Sequence, residues 1–440
     1  MKIKGNFELA LQEVKNDKNN AIATVNESKN THFGVLANCV YTLKDNYAQK
    51  GFYTKGSSLI LDNFKANYDS TIVSLLNQAA ASCVARTNLD EFGLGGSGEY
   101  SAFGLIKNPL NEDYLVGGSS SGAAATFTKN ISFAIGSDTG DSVRKPASNI
   151  GCVGFKPSYG AISRYGLFAF ATSLDTVAYF THNVNDAITL SSVLYQQDLK
   201  HDLSSIDLSF DSKTVQKVKP NKVAYLDCFS ELEDSVAKSY KQVLDKLKNQ
   251  GVELVKITPE EHILKSIDVV YKIIAFSEAS SNLANLTGVE FGNRLDGKNW
   301  EDIYINTRSH GLGKMVQSRL ILGAYFLKLE HQIKYFVQAK KMRRYIANYF
   351  TKIHQSADLF IYPASNNSAP KIGENYKASY MDYILTNANL TGNPSLTLKM
   401  GEDQNNMPFN LALDGELYKD TKLFSHALYI EEDILGGNNE

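Results

Sequence analysis

Lys222-Val223-Ala224-Tyr225-Leu226-Asp227 opens the stretch that decides the fold. Its run of β-formers predicts a strand. Residues 231–250 read as a helix with Gly251 at its end, and Val252-Glu253-Leu254-Val255-Lys256-Ile257 predicts a second strand. Strand, helix and strand in succession make a βαβ unit, whose home is a parallel or mixed sheet.

The same alternation extends outward. Residues 34–44 predict a strand, with Val35, Val40 and Leu43 among the β-formers. Over 70–84, Ile72, Val73, Leu75, Leu76, Ala79 and Ala80 recur at three and four, which predicts a helix. Residues 132–136 predict a short buried strand. Residues 315–350 predict one long helix, and 359–363, 395–399 and 409–413 three further strands. No linker divides the chain. The expectation is one large α/β domain over 1–440, with a mostly helical excursion at 231–353.

Composition sets the class. The 440 residues are 43% hydrophobic and 21% charged, which excludes a disordered or fibrous chain. Lys+Arg 45 against Asp+Glu 47 leaves −2, so no global field draws the chain onto nucleic acid or an anionic membrane. No apolar run approaches the roughly 18 residues of a membrane span. The start, Met1-Lys2-Ile3-Lys4-Gly5-Asn6, lacks the apolar core of a secretion signal. Four scattered cysteines, Cys39, Cys83, Cys152 and Cys228, point to reduced thiols in the cytoplasm. The only biased tract is the acidic and Asn-rich end at 431–440.

Three glycine-rich patterns lie between Phe92 and Arg144. Gly93-Leu94-Gly95-Gly96-Ser97-Gly98 is formally G-x-G-x-x-G, but 100–110 reads as a loop and not as the helix a dinucleotide site needs. Gly118-Ser119-Ser120-Ser121-Gly122 is formally G-x-S-x-G. Tyr114-Leu115-Val116 before it and Ala123-Ala124-Ala125 after it fit a nucleophile elbow, with His354 or His426 as the histidine. The third pattern joins Gly118-Ser119-Ser120 to Gly136-Ser137-Asp138-Thr139-Gly140-Asp141-Ser142-Val143-Arg144, with Lys44-Asp45-Asn46 upstream. Two hydroxyl-bearing loops on glycine-loosened backbone, together with an isolated lysine, are a rarer combination than either loop alone.

In this third pattern the sequence resembles the amidase signature family, whose catalytic unit is Ser–cis-Ser–Lys. Arg86-Thr87-Asn88-Leu89-Asp90-Glu91-Phe92, Gly154-Phe155-Lys156-Pro157-Ser158-Tyr159-Gly160 and Ser163-Arg164-Tyr165-Gly166-Leu167 carry the likeness further. So do Ser277-Glu278-Ala279-Ser280 and 385–394, and the likeness spans roughly 34–430. Within the family it is similar to the branch of A subunits of tRNA-dependent amidotransferases. That implies a central mixed sheet with helices on both faces, and a lead-in at 1–33 that is shortened.

The resemblance implies roles. Ser142 becomes the nucleophile that carries the acyl group, Ser119 the proton relay (Ser120 being the neighbouring choice) and Lys44 the base. The backbone N–H groups of Thr139, Gly140 and Asp141 become the oxyanion donors. A lysine base must be neutral, so burial has to lower it from about 10.4. Strand alternation points Asp45 away from Lys44. In the long helix Phe326, Leu329, Ile333, Phe336, Ala339, Arg343, Ile346 and Phe350 form one stripe. Arg343 therefore faces inward, and the resemblance makes it the fork for a substrate α-carboxylate. Asp382 is assigned the substrate amino group, although Tyr383 fills the place where the family has its aspartate. Where the family has two glycines this chain has Gly140-Asp141, and a carboxylate there predicts slower chemistry.

The function implied is glutamine hydrolysis through a serine acyl-enzyme, with ammonia delivered to Glu-tRNA(Gln) on a partner. The B and C subunits of such an enzyme are the expected partners, in a heterotrimer. ATP and Mg²⁺ are expected on the partner, since G-x-x-x-x-G-K-[ST] is absent from this chain. No metal ligand set and no cofactor are expected in the chain itself. A free-standing amidase and a catalytically decayed scaffold are the rival readings.

Overall fold

A computed structural model describes residues 1–374 and 378–437. The Asn-rich end at 438–440 lies outside the described residues. The strands are β1 (Ile22–Val25), β2 (Val40–Lys44), β3 (Ser82–Thr87), β4 (Phe133–Asp138), β5 (Val153–Lys156), β6 (Thr176–Thr181), β7 (Lys222–Leu226), β8 (Glu253–Ile257), β9 (Leu359–Pro363), β10 (Ser395–Glu402) and β11 (Pro408–Asp414). The helices are α1 (Phe7–Lys15), α2 (Thr71–Gln78), α3 (Ser121–Ala125), α4 (Arg144–Ile150), α5 (Val184–Leu194), α6 (Asp234–Asn249), α7 (Glu261–Asn282), α8 (Trp300–Gly311), α9 (Lys314–Leu327), α10 (Leu329–Gln332), α11 (Gln338–Ser356), α12 (Asn387–Thr391) and α13 (Asp420–Tyr429).

All eleven strands join in one sheet, in the order β1-β3-β2-β4-β6-β5-β10-β11-β9-β7-β8. β7 and β8 pair in parallel across α6, as the opening stretch predicts, and β9 joins β7 in parallel. At the other end β3, β2 and β4 run parallel. The strands between are antiparallel, so the sheet is mixed. β2, β3, β4, β5, β6, β9 and β11 are buried at every residue. Strands buried on both faces need a layer on each side, and the helices supply it.

Several expectations change. The strand at 34–44 begins only at Val40, because the chain turns before it and Asn38 takes a positive φ of 67°. The helix predicted over 70–84 stops at Gln78. Ala80 reverses the chain at φ 68° and residues 82–87 become β3. Residues 79–84 are small or apolar and are buried in either conformation, so the period could not separate them. Tyr114 and Leu115 form isolated bridges, and 114–116 is not a strand. The lead-in at 1–33 carries α1 and the edge strand β1, which pairs with β3.

The long helix breaks. Lys328 leaves helical geometry at ψ 143°, and residues Ile333–Val337 form a π turn. The register therefore slips, and the single inward stripe fails: Leu329 is 86% exposed and Ile333 70%. The excursion at 231–353 is mostly helical, yet its β8 belongs to the sheet.

Candidate active site

The site grows from the carboxyl ends of parallel strands, where α/β sheets hold their ligands. Leu43 of β2 pairs with Ile135 of β4, so Lys44 ends beside Gly136 and Ser137. Lys44 is fully buried. Its Nζ lies 2.9 Å from Ser119 Oγ, 3.0 Å from Ser120 Oγ and 3.0 Å from Ser137 Oγ. Burial lowers the amine to about 7, with Asp90, Asp138 and Asp175 pulling it partly back. Asp45 points the other way and accepts from Arg86 Nε at 2.7 Å.

Ser119 stands on a tight loop before α3. The Gly118–Ser119 peptide is cis, so Ser119 and not Ser120 is the cis serine. Gly118 is required there: a Cβ would lie 2.2 Å from Asp90 Oδ2. Asp90 in turn accepts from the backbone N–H groups of Ser97, Gly98 and Tyr100. The G-x-G-x-x-G segment is thus a loop, pinned by one buried carboxylate. The Ser120 N–H donates to the Ser142 carbonyl at 3.1 Å, which holds the two serine loops together.

The loop carrying Ser142 is shaped from below. Asp138 Oδ2 accepts from the Val143 N–H at 3.1 Å and from Arg144 Nε at 3.1 Å. Arg144 is fully buried and also donates to the Gly140 carbonyl and the Asn389 side chain. Burial would raise Asp138, but Arg144 outweighs it and holds the carboxyl below its ordinary value. Asn389 Nδ2 closes the ring on the Asp138 carbonyl at 2.9 Å. Thr139 Oγ1 donates to Asp175 at 2.7 Å. With these ties made, the backbone N–H groups of Thr139, Gly140 and Asp141 meet no acceptor among the described residues. They are the arrangement that an oxyanion requires.

A cleft of about 460 Å³ opens beside this loop. Gly96, Gly140, Asp141, Tyr271, Arg319, Asp382 and Tyr383 line it. Tyr271 stands over Gly140, where a Cβ would come 3.1 Å from the ring. Burial and the neighbouring Asp138 push Asp141 up to about 7. Asp382 reaches the cleft, with Oδ2 accepting from the Ser379 N–H at 2.9 Å.

Arg343, the expected fork for a substrate α-carboxylate, is not among the residues that line this cleft. Its fork is filled by the Leu390 carbonyl at 2.7 Å, the Ser173 carbonyl at 3.0 Å and Ser173 Oγ at 3.0 Å. An arginine facing inward needs acceptors, and here backbone carbonyls supply them. Arg319 of α9 is the cleft's arginine. Its guanidinium lies 5.1 Å over the Phe276 ring and meets no carboxylate among the described residues. Arg319 lies seven residues before Phe326, on the same face of the helix, and helix period alone assigns it no role.

Other residues went unseen. Ser137, Asp138 and Arg144 lie within the quoted 136–144 segment and Asn389 within 385–394, but the sequence assigns them no role. The signal that could have found them is the pairing rule for buried charge, applied to an Asp and an Arg flanking the loop. His354 and His426 are buried away from the serine loops, so neither serves a nucleophile elbow. Among the described residues no cluster of ligands fits a metal ion, and no helix is long and apolar enough to cross a membrane.

A wide mixed sheet, a buried lysine on a cis serine and free amides before a second serine define the class. A family model described as amidase matches residues 6–424, and the chain belongs to the amidase family. Among its relatives is the A subunit of the glutamyl-tRNA(Gln) amidotransferase of Aliarcobacter butzleri, 35% identical over 89% of this chain and 87% of that one. The same protein of Sulfurimonas denitrificans is 34% identical over 98% of both chains. The crystal structure of the A subunit of glutamyl-tRNA(Gln) amidotransferase from Thermotoga maritima superposes with a TM-score of 0.82, at 30% identity, over 99% of this chain and 92% of that one.

Proposed function

We propose that this chain is the glutaminase component of a tRNA-dependent amidotransferase. The observation that carries the reading is the buried Lys44 amine on Ser119, beside a cleft whose arginine has no carboxylate of its own. Neutral Lys44 accepts the Ser119 proton as Ser119 accepts that of Ser142, and Ser142 Oγ attacks the carboxamide carbon. The oxyanion takes hydrogen bonds from the amides of Thr139, Gly140 and Asp141. On collapse the C–N bond breaks, the lysine proton returns through Ser119 to the leaving nitrogen, and ammonia departs. Water then hydrolyses the Ser142 ester along the same relay and releases glutamate.

Arg319 takes the α-carboxylate of glutamine in two parallel hydrogen bonds. Asp382 takes the α-amino group. The ammonia passes to the partner B and C subunits, where ATP and Mg²⁺ activate Glu-tRNA(Gln) in the cytoplasm. The relatives' names support the part of this reading that concerns an A subunit and glutamyl-tRNA(Gln). The test is glutamine hydrolysis by the full chain, with Ser142→Ala as control, followed by glutamine-dependent amidation of Glu-tRNA(Gln) with and without the co-purified partners. Hydrolysis that survives in Ser142→Ala rejects the mechanism. An active chain that purifies alone and amidates nothing is a free-standing amidase.

A further inference from the structure

Sorting the charges of the cleft by their partners leaves a pattern. Lys145 donates to Ser365 Oγ at 2.6 Å, and Lys272 pairs with Asp268 at 2.8 Å. Lys371 stands 3.9 Å from Glu374, and Glu99 is exposed to solvent. Among the described residues four charges remain for a ligand: the Arg319 guanidinium, the Lys145 ammonium, whose hydrogen bond goes to a neutral hydroxyl, the second oxygen of Asp382 and the whole carboxyl of Asp141. Neither oxygen of Asp141 meets a donor among the described residues. This is two cations and two anions around a site for a zwitterion.

Asp141 is also the residue before the nucleophile, and its own N–H faces the oxyanion position. A carboxylate so close opposes the negative charge that develops there. A ligand ammonium beside Asp141 removes that opposition as it binds. An amide without an ammonium leaves the carboxylate facing only Lys145, outside hydrogen-bonding distance, or must wait for it to take a proton.

We propose that Asp141 is a specificity-determining residue that takes the α-ammonium of the substrate together with Asp382, so that only an α-amino-acid amide is both bound and hydrolysed well. The inference rests on the glutaminase reading and deepens it. The residue thus carries two opposite effects: it slows the chemistry of any amide and recovers that loss for a substrate that brings its own positive charge.

The experiment compares kcat/KM for L-glutamine and for glutaramate, which keeps the carboxamide and the α-carboxylate but lacks the amino group. The enzyme is the full chain with its co-purified partners. Asp141→Asn keeps the backbone N–H and removes the charge. The wild type prefers glutamine, and the variant narrows that preference about tenfold or more, by losing on glutamine and gaining on glutaramate. Asp141→Glu retains most of the preference. Asp141→Gly replaces the asparagine variant if that one does not fold. A preference unchanged in the neutral variant that folds overturns the inference while leaving glutamine hydrolysis intact. A wild type that hydrolyses no glutamine removes the glutaminase reading, and this inference with it.

Discussion

Burying Lys44 costs solvation that its partners only partly restore. Three hydroxyls surround the amine, and the nearest opposite charges, Asp90, Asp138 and Asp175, act from beyond the hydrogen-bonding shell. Its pKa is lowered to about 7, so it carries a proton below that pH and is a base above it. kcat/KM for glutamine should therefore rise with pH up to about 7 and then level off. Lys44→Arg, which cannot lose its proton, should lower kcat by about 10²–10⁴. A pH–rate profile of the wild type and the activity of the variant check this, and an arginine variant of near wild-type rate would contradict it. The two arginines separate binding from architecture. Arg319→Ala should raise the KM for glutamine and leave thermal stability nearly unchanged. Arg343→Ala should leave its carbonyls without donors and cost about 1–3 kcal/mol, read by denaturant unfolding. At this scale the sequence is readable where a residue has a motif. Lys44, Ser119 and Ser142 lie in segments whose composition marks them. Arg319 has no such mark, because an inward arginine looks the same from its helix period whether its acceptors are carbonyls or a ligand.

Elements position the site through two close approaches. The first is the buried ring of Asp138, Arg144 and Asn389, which ties the end of β4 to the starts of α4 and α12. Arg144→Met should leave the Asp138 carboxylate buried without its cation and cost about 3–5 kcal/mol. Chemical denaturation measures it, and a loss below about 1 kcal/mol would refute the ring's role. The second is the crossing of α7 and α9 at Gly323, where a Cβ would lie 1.9 Å from the Phe276 carbonyl oxygen. Gly323→Ala should part the helices that carry Tyr271 and Arg319, cost about 1–3 kcal/mol and raise the KM for glutamine. Unfolding and steady-state kinetics together test that pairing of effects. Strands and helices with a clear period are legible in the sequence. The misreadings fall where one residue changes the chain's course: Asn38, Ala80 and Lys328 each leave the regular geometry inside an apolar run. Periodicity carries no mark of such a residue.

At the scale of the whole molecule, the βαβ unit at 222–257 predicts a mixed sheet but cannot order it. β5 lies between β6 and β10, and β10 between β5 and β11; the pairing of β5 with β10 joins Lys156 to Ser395. Sequence-local reasoning has no access to contacts of that span. What the long range achieves is chemical. It brings Lys44 at the end of β2, the loop of Ser119 before α3 and the loop of Ser142 after β4 together. The formal charge of −2 gives the chain little attraction for RNA by itself, so binding of tRNA should depend on the co-purified partners. Filter binding of Glu-tRNA(Gln) to the chain alone and to the assembly should show tight binding only in the second. Equal affinity in both would place the tRNA surface on this chain.

The most direct test is to trap the intermediate. Acid-quenched protein mixed with glutamine should carry a γ-glutamyl ester on Ser142, located by peptide mass spectrometry, and Lys44→Arg should carry none. An ester on another residue, or full glutamine hydrolysis by Ser142→Ala, would contradict the account.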